Sequence, residues 1–187
     1  MANLIGLIGF KQSGKSTAAS YLESKYGFVR HNFKDALIIE LIRNFTDLLA
    51  EMSFYYYGHE DSVVGGKQPI LRLFDEKPPL MRALMQNYGT EVRRKEKDSY
   101  WTDKWLDKYL TAEKQNVVVD DVRFLNEASQ VKGQTGIIIR IIRTDITTGG
   151  DHSSETEQLQ IEADYTIEVG RGEQEKLYAE LDAIMQR

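Results

Sequence analysis

The stretch Gly9-Phe10-Lys11-Gln12-Ser13-Gly14-Lys15-Ser16-Thr17 decides how the rest of the chain is read. It fits G-x-x-x-x-G-K-[ST], the phosphate-binding loop (P-loop) pattern, in full. The spacing has a physical reason. The glycines let the backbone turn tightly, with N–H groups pointing into a concave anion nest. A helix starting at the loop adds the positive end of its dipole. The Lys15 ammonium can then reach the outer phosphates of a bound ATP, and the Ser16 hydroxyl can ligate Mg2+. Gly9, Lys11, Ser13, Gly14, Lys15, Ser16 and Thr17 are the expected ATP-binding residues. The plainer reading is a glycine turn that merely joins a strand to a helix. The complete pattern, set between an apolar strand and a helical stretch, weighs against it.

Working outward, residues 3–8 (NLIGLI) predict a buried strand that ends at the loop. Residues 15–25 predict a helix with Ala18, Ala19 and Leu22 on one face. MANLIGLIGF lacks a basic n-region and runs straight into the glycine loop, so it reads as a strand and not a signal peptide. A second strand is predicted over 28–33 and an amphipathic helix over 35–50. Residues 54–78, with Gly65-Gly66 and Pro78-Pro79 as breakers, read as an irregular insertion. Helices follow over 80–95 and 100–112, strands over 116–121, 136–142 and 164–169, and a closing helix over 173–186. Unbroken Val/Ile runs mark strands buried on both faces. Strands alternating with helices give right-handed βαβ units, so the expected fold is α/β: three layers, a five-stranded parallel sheet flanked by helices, with a lid. Such sheets bind ligands at the carboxyl ends of their strands.

Composition narrows the class. At 187 residues the chain is one domain, or one domain with a lid. The net charge of −5 gives no global attraction to nucleic acid or to an anionic membrane, so neither is expected as a partner. The absence of cysteine excludes disulfides, thiolate metal sites and a cysteine nucleophile, and it fits a reducing compartment. No apolar run approaches the roughly 20 residues of a membrane span. A cytoplasmic protein is the expectation.

Further motifs fall at the strand ends. Val117-Val118-Val119 runs into Asp120-Asp121, either of which could face a loop-bound Mg2+ through water. The stretch 80–105 carries Arg82, Gly89, Thr90, Arg93, Arg94, Trp101 and Trp105. Arginines bind phosphate bidentately. Trp101 could stack on a base, whereas core packing is the better reading of Trp105. Arg123 and Glu127, at i, i+4, read either as a surface salt bridge or as a site pair. Arg140 and Arg143 lead from the fourth strand toward Gly149-Gly150 and DHSSE at 151–155, a suitable stem for a lid closing over phosphoryl groups. No guanine-reading Asn-Lys-x-Asp sequence is recognisable; NFKDA at 32–36 matches it only loosely and stands too early.

Together, GFKQSGKST, LMQNYGTEVRR with a tryptophan shortly after, VVVDDVRFLNEA, and R-x-x-R before DHSSE resemble the deoxynucleoside monophosphate kinases of tailed bacteriophages, a P-loop nucleoside monophosphate kinase-like family. The resemblance spans roughly residues 4–170, with no match for 54–78. Family members often read SGKDT where this chain has Ser16, which leaves open whether Ser16 or Thr17 touches the metal. The resemblance implies transfer of the γ-phosphoryl group of ATP to a deoxynucleoside 5′-monophosphate (dNMP), with Mg2+. It implies an acceptor site of Arg82, Gly89, Thr90, Trp101, Asp121, Arg123 and Glu127, joined by Lys34, Asp35 and Glu155. Lys15, Arg123 and Arg143 would be the catalytic cations, Arg140 being the alternative lid arginine. The bulk of Trp101 would crowd a 2′-hydroxyl. It further implies a single kinase domain over 1–187, a lid at approximately 143–156 and a helical acceptor-binding insertion at approximately 54–112. A homodimer in the host-cell cytoplasm, if the protein is phage-encoded, completes the expectation. The alternatives are another small-molecule P-loop kinase, of the dephospho-coenzyme A or phosphomevalonate kinase kind, or a non-kinase P-loop ATPase module. The downstream arginines argue against the last.

Overall fold

The structure is a computed structural model that describes residues 3–58, 69–113, 115–145 and 157–186. In chain order its elements are β1 (Leu4–Ile8), α1 (Lys15–Tyr26), β2 (Val29–Arg30), α2 (Phe33–Tyr57), α3 (Pro69–Glu76) and α4 (Pro79–Gln86). A π-helical segment (Asn87–Arg94) follows, then α5 (Tyr100–Thr111), β3 (Val117–Val119), α6 (Leu125–Gly133), β4 (Ile137–Arg143), a 3-10 turn (Gln158–Gln160), β5 (Tyr165–Val169) and α7 (Gln174–Met185). The chain divides into two compact units, one of Met1–Phe33 with Thr102–Arg187 and one of Lys34–Trp101.

The first unit is built on a parallel sheet of order β2-β3-β1-β4-β5. Ile5 lies opposite both Val118 and Ile137, which fixes the register of the three central strands. Alternation along each strand separates the two faces. Ile5, Leu7, Val118, Ile139, Ile141 and Ile167 pack on Ala18, Ala19 and Leu22 of α1 and on Leu177, Leu181 and Met185 of α7. Leu4, Ile8, Val117, Val119 and Ile138 pack on Trp105 of α5 and on Ala128 and Val131 of α6. Helices cover both faces, giving the expected three layers. β1 lies between β3 and β4, so the chain leaves its carboxyl end at the point where strand order reverses, where α/β sheets bind ligands.

The second strand is shorter than the sequence predicts. Only Val29–Arg30 pair with β3, while the Phe33 N–H donates to Asp121 Oδ1 (3.0 Å) and the Asp120 N–H donates to Asn32 Oδ1 (3.0 Å). Side-chain partners replace the ladder there and turn the chain into α2.

The second unit has its own core of Leu37, Leu41, Leu49, Met52, Leu73, Phe74, Met81, Tyr88 and Trp101. Its α2 runs well past the predicted 35–50 and breaks at Phe45 (φ −134, ψ 32). α3 lies within the stretch read as irregular. α4 opens with Pro79, whose missing N–H costs nothing in a first turn. The Gly65-Gly66 breaker, most of the predicted lid and Glu155 lie outside the described residues. No described helix is long and apolar enough to cross a membrane.

Candidate active site

The glycine loop leaves β1 at Ile8. A Cβ at Gly9 (φ +144) would come within 2.3 Å of the Ile141 carbonyl oxygen and 2.7 Å of Ser13 Oγ, so only glycine fits. Gln12 (φ 66) and Gly14 (φ 105) also adopt positive φ, giving the loop its nest shape. The Ser13 N–H donates to the Phe10 carbonyl (3.1 Å) and closes the turn. Gly14 caps α1 with no side-chain hydrogen bond, and the first turn of α1 carries no acid, so the positive end of its dipole is not neutralised locally. Ser13 is 2 % exposed, and its Oγ is buried without a hydrogen-bond partner among the described residues. A buried orphan hydroxyl in an anion nest is what a loop that completes its hydrogen bonds with a ligand looks like. Lys15 Nζ donates to the carbonyls of Gly9 (2.6 Å) and Phe10 (2.8 Å), which keeps the ammonium on the loop rim. Lys11 and Ser16 are exposed and Thr17 is half-buried.

Beyond β3, alternation sends Asp120 and Asp121 to opposite faces. Asp120 Oδ2 accepts from Arg30 Nη1 (2.9 Å) and Oδ1 from Asn32 Nδ2 (2.7 Å), so both oxygens are engaged in holding β2. Asp121 Oδ1 holds the start of α2, and both acids are buried. Among the described residues no three His, Cys, Asp or Glu side chains cluster as a metal cage. The candidate donors, the Ser16 hydroxyl and the Asp120 and Asp121 carboxylates, are hard oxygen ligands of the kind that suit Mg2+ held mainly by phosphate oxygens and water.

Glu127 is 3 % exposed, and its Oε2 accepts from the backbone N–H groups of Arg123 (2.7 Å) and Phe124 (3.2 Å). It caps α6 from inside, as the acid of a capping box does. Arg123 and Glu127 therefore meet through the backbone and not as a surface salt bridge. The Arg123 side chain is exposed, and its guanidinium has no ion pair among the described residues. The two lid-stem arginines also separate. Arg140 Nη2 donates to the carbonyls of Gln158 (3.3 Å) and Ile161 (2.5 Å), and burial lowers its pKa. Arg143 Nη1 donates to the Gln12 carbonyl in the glycine loop (3.3 Å), while its other nitrogens grip Asp145 (2.8 Å each), which raises its pKa.

In the second unit, Arg82 is exposed on α4, and Gly89 and Thr90 lie on the π-helical segment. Lys34 and Asp35 open α2, half-buried. Trp101 is 3 % exposed and donates Nε1–H to the Gly89 carbonyl (2.9 Å).

Comparison with known proteins fits this geometry. The deoxynucleotide monophosphate kinase family profile matches residues 70–181. A mimivirus protein of Acanthamoeba polyphaga mimivirus, named "Putative deoxynucleotide monophosphate kinase", is 32 % identical over 190 residues, covering 95 % of this chain and 93 % of the relative. The chain belongs to the deoxynucleotide monophosphate kinase family. Two solved structures are also similar. One is a crystal structure of a Thermus thermophilus protein, 17 % identical, with 98 % and 96 % of the two chains covered and a TM-score of 0.46. The other is a dephospho-CoA kinase from Campylobacter jejuni, 17 % identical, with 99 % and 98 % covered and a TM-score of 0.44.

In this deoxynucleotide monophosphate kinase family member, Trp101 and Arg93 both find partners inside the second unit. By sequence, Trp101 is a candidate base-stacking surface that could crowd a 2′-hydroxyl. In the structure its ring is enclosed in the second unit's core, with Nε1–H on the Gly89 carbonyl. Arg93 groups by sequence with the phosphate-binding arginines; in the structure it is paired with Glu40 (2.6 Å). Trp105 is core, as expected, with Nε1–H donated to the His31 carbonyl (2.9 Å). Sequence reading missed Glu40. Its Oε1 accepts from the Tyr88 hydroxyl (2.7 Å) and Arg93 Nε (2.7 Å), and its Oε2 from the Tyr100 hydroxyl (2.8 Å). Burial pushes the Glu40 carboxyl up, but hydrogen bonds from Tyr88, Tyr100 and Arg93 outweigh it and hold the pKa below the usual range. The one signal in the sequence is an acid set between the core residues Leu37 and Leu41.

Proposed function

We propose that the chain uses ATP and Mg2+ to phosphorylate a deoxynucleoside 5′-monophosphate. An acceptor phosphate oxygen attacks the γ-phosphorus, the bond to the β–γ bridging oxygen breaks, and ADP leaves with that electron pair. The acceptor is already an anion at neutral pH, so no general base is needed. The work is to align two anions and neutralise their charge. Lys15 supplies countercharge at the β–γ bridge. Gly9, Lys11, Ser13, Gly14, Ser16 and Thr17 hold the triphosphate; Ser16, with Asp120 or Asp121 through water, would hold Mg2+, which would supply further countercharge to the phosphates. Arg143, beside the loop at Gln12, stabilises the transferring group, and Arg123 takes the acceptor phosphate. Asp121, Glu127, Lys34, Asp35, Arg82, Gly89, Thr90 and Glu155 complete the acceptor contacts, with Trp101 behind Gly89. Lid, acceptor insertion, homodimer, host-cytoplasmic location and a phage-type source belong to the same reading.

The observation that carries it is the orphaned, buried Ser13 Oγ inside the glycine loop of a chain from this family. The test is ADP formation with dGMP, dTMP, dCMP, dAMP, GMP, UMP or dephospho-coenzyme A, and with no acceptor. Turnover is expected with one or more dNMPs and far less with the others. Equal turnover without acceptor would make the protein an ATPase. Lys15→Ala should keep its melting temperature and lose activity by about a hundredfold or more; a folded variant with near wild-type turnover removes the ATP assignment.

A further inference from the structure

Glu40 anchors a cluster that the phosphoryl-transfer chemistry leaves without a task. The Tyr88 hydroxyl donates to Glu40 Oε1 and accepts from Arg93 Nη2 (2.7 Å) and Asn44 Nδ2 (3.2 Å). The Arg93 guanidinium also sits against the rings of Tyr88 and Tyr100, 5.1 Å from each centroid. Phe45, where α2 breaks, meets the Tyr88 ring edge-on at 5.3 Å.

Tyr88 and Arg93 are five residues apart. On an α-helix that spacing would place them about 140° apart around the axis. On the π-helix, whose hydrogen bonds run i to i+5, they fall on one side and share Glu40. π-helical winding is rare and needs outside support. Here Glu40 supplies that support, in a position where its side chain is only 11 % exposed. The residues wound between Tyr88 and Arg93 include Gly89 and Thr90. Trp101 fixes the Gly89 carbonyl from the core side.

We propose that Glu40 is a positioning residue for the acceptor nucleotide, locking the π-helical winding of residues 87–94 through Tyr88 and Arg93 and so setting how Gly89 and Thr90 are presented. The role rests on the kinase reading above. Glu40→Gln keeps shape but cannot match the charge or the acceptor capacity of the carboxylate. Tyr88→Phe removes one oxygen from the same hub and is the gentler variant should Glu40→Gln fold poorly. Asp182→Asn is the structural control, because it breaks a comparable hub of Lys25, Tyr21 and Tyr26 in the first unit, outside the candidate site.

KM for the best dNMP, KM for ATP and melting temperature are measured for all four proteins. Glu40→Gln and Tyr88→Phe should each raise the dNMP KM about tenfold, as expected for losing a partly buried charged hydrogen bond, with the ATP KM within about twofold of wild type. Asp182→Asn should lower the melting temperature and move neither KM. An unchanged dNMP KM in Glu40→Gln, or equal rises in both KM values, overturns the positioning role while wild-type kinase activity still stands. A wild-type protein that phosphorylates no dNMP overturns the kinase reading itself, and this role with it.

Discussion

Arg123 shows how one residue changes meaning once its neighbours are known. A salt bridge to Glu127 would have made it a modest contributor to stability. Glu127 instead bonds the backbone, and the Arg123 guanidinium is exposed and free of ion pairs among the described residues. Arg123→Ala should therefore leave the melting temperature within about 1 °C of wild type, as surface changes without partners do. A bidentate guanidinium lost from an acceptor phosphate should lower kcat/KM for the dNMP by about a hundredfold, with ATP affinity kept. Lysine should rescue poorly, since it keeps charge without the planar fork. Steady-state kinetics and a thermal melt on Arg123→Ala and Arg123→Lys check this. A lowered melting temperature with wild-type dNMP kinetics would send Arg123 back to a structural role.

At the scale of elements, the same pair makes a second prediction. Glu127 caps α6 with a carboxylate buried at its first turn, so Glu127→Ala strips acceptors from two N–H groups at once. A lost cap costs about 1 kcal/mol, and burial of the abandoned donors adds to that. Glu127→Gln retains an amide oxygen at the same reach and should recover most of the loss. Urea unfolding of the two variants decides it; equal destabilisation by Gln and Ala would show that charge and not capping holds the helix start. What could be read ahead of the structure follows from how local the cause is. β1, β3, β4 and β5 were legible because burial on both faces writes itself as unbroken Val/Ile runs. The glycine loop was legible because its φ angles demand glycine at fixed spacing. The sequence predicts β2 too long, because its end is set by Asp120 and Asp121, about 90 residues away in the chain. The sequence predicts an ordinary helix through the π-helical segment, because its winding depends on Glu40 reaching across from α2. Of the site, the loop residues and the exposure of Arg123 follow local rules. The division of labour between Arg140 and Arg143 does not, since it depends on which carbonyl each guanidinium meets.

At the scale of the whole molecule, several acids bind parts of the fold together and share one response to pH. Hydrogen bonds from Lys25, Tyr26 and Tyr21 bring Asp182, which ties α1 to α7, down from 3.8 to about 2. Burial pushes Asp164 up, but the Ile138 N–H and Lys132 outweigh it and hold it low. The Gly170 N–H and Lys176 lower Glu173, and Glu40 is lowered in the second unit. All four shifts run downward, so between the ordinary carboxylate values and the folded ones the unfolded chain binds more protons than the folded chain. Their stabilisation is complete above about pH 5 and drains away as pH falls toward 2. Lys25 shifts the opposite way, raised by Asp182 and Tyr21, so its contribution is present through neutral pH and fades only when pH rises past the ordinary lysine value of 10.5. The melting temperature should be flat from about pH 5.5 to 9 and fall steeply below about pH 4.5. Asp182→Asn should lower the plateau and flatten the acid limb, because the group with the largest downward shift no longer titrates. The Lys25–Asp182 pair is partly exposed, so about 1 M salt should shrink the difference between wild type and variant. Thermal melts across pH 2.5–9 at low and high salt measure this. Parallel acid limbs for the two proteins would show that Asp182 contributes nothing to acid unfolding, and that the α1–α7 contact rests on the stacked rings of Tyr21 and Tyr178, 4.0 Å apart, and on the apolar core beneath them.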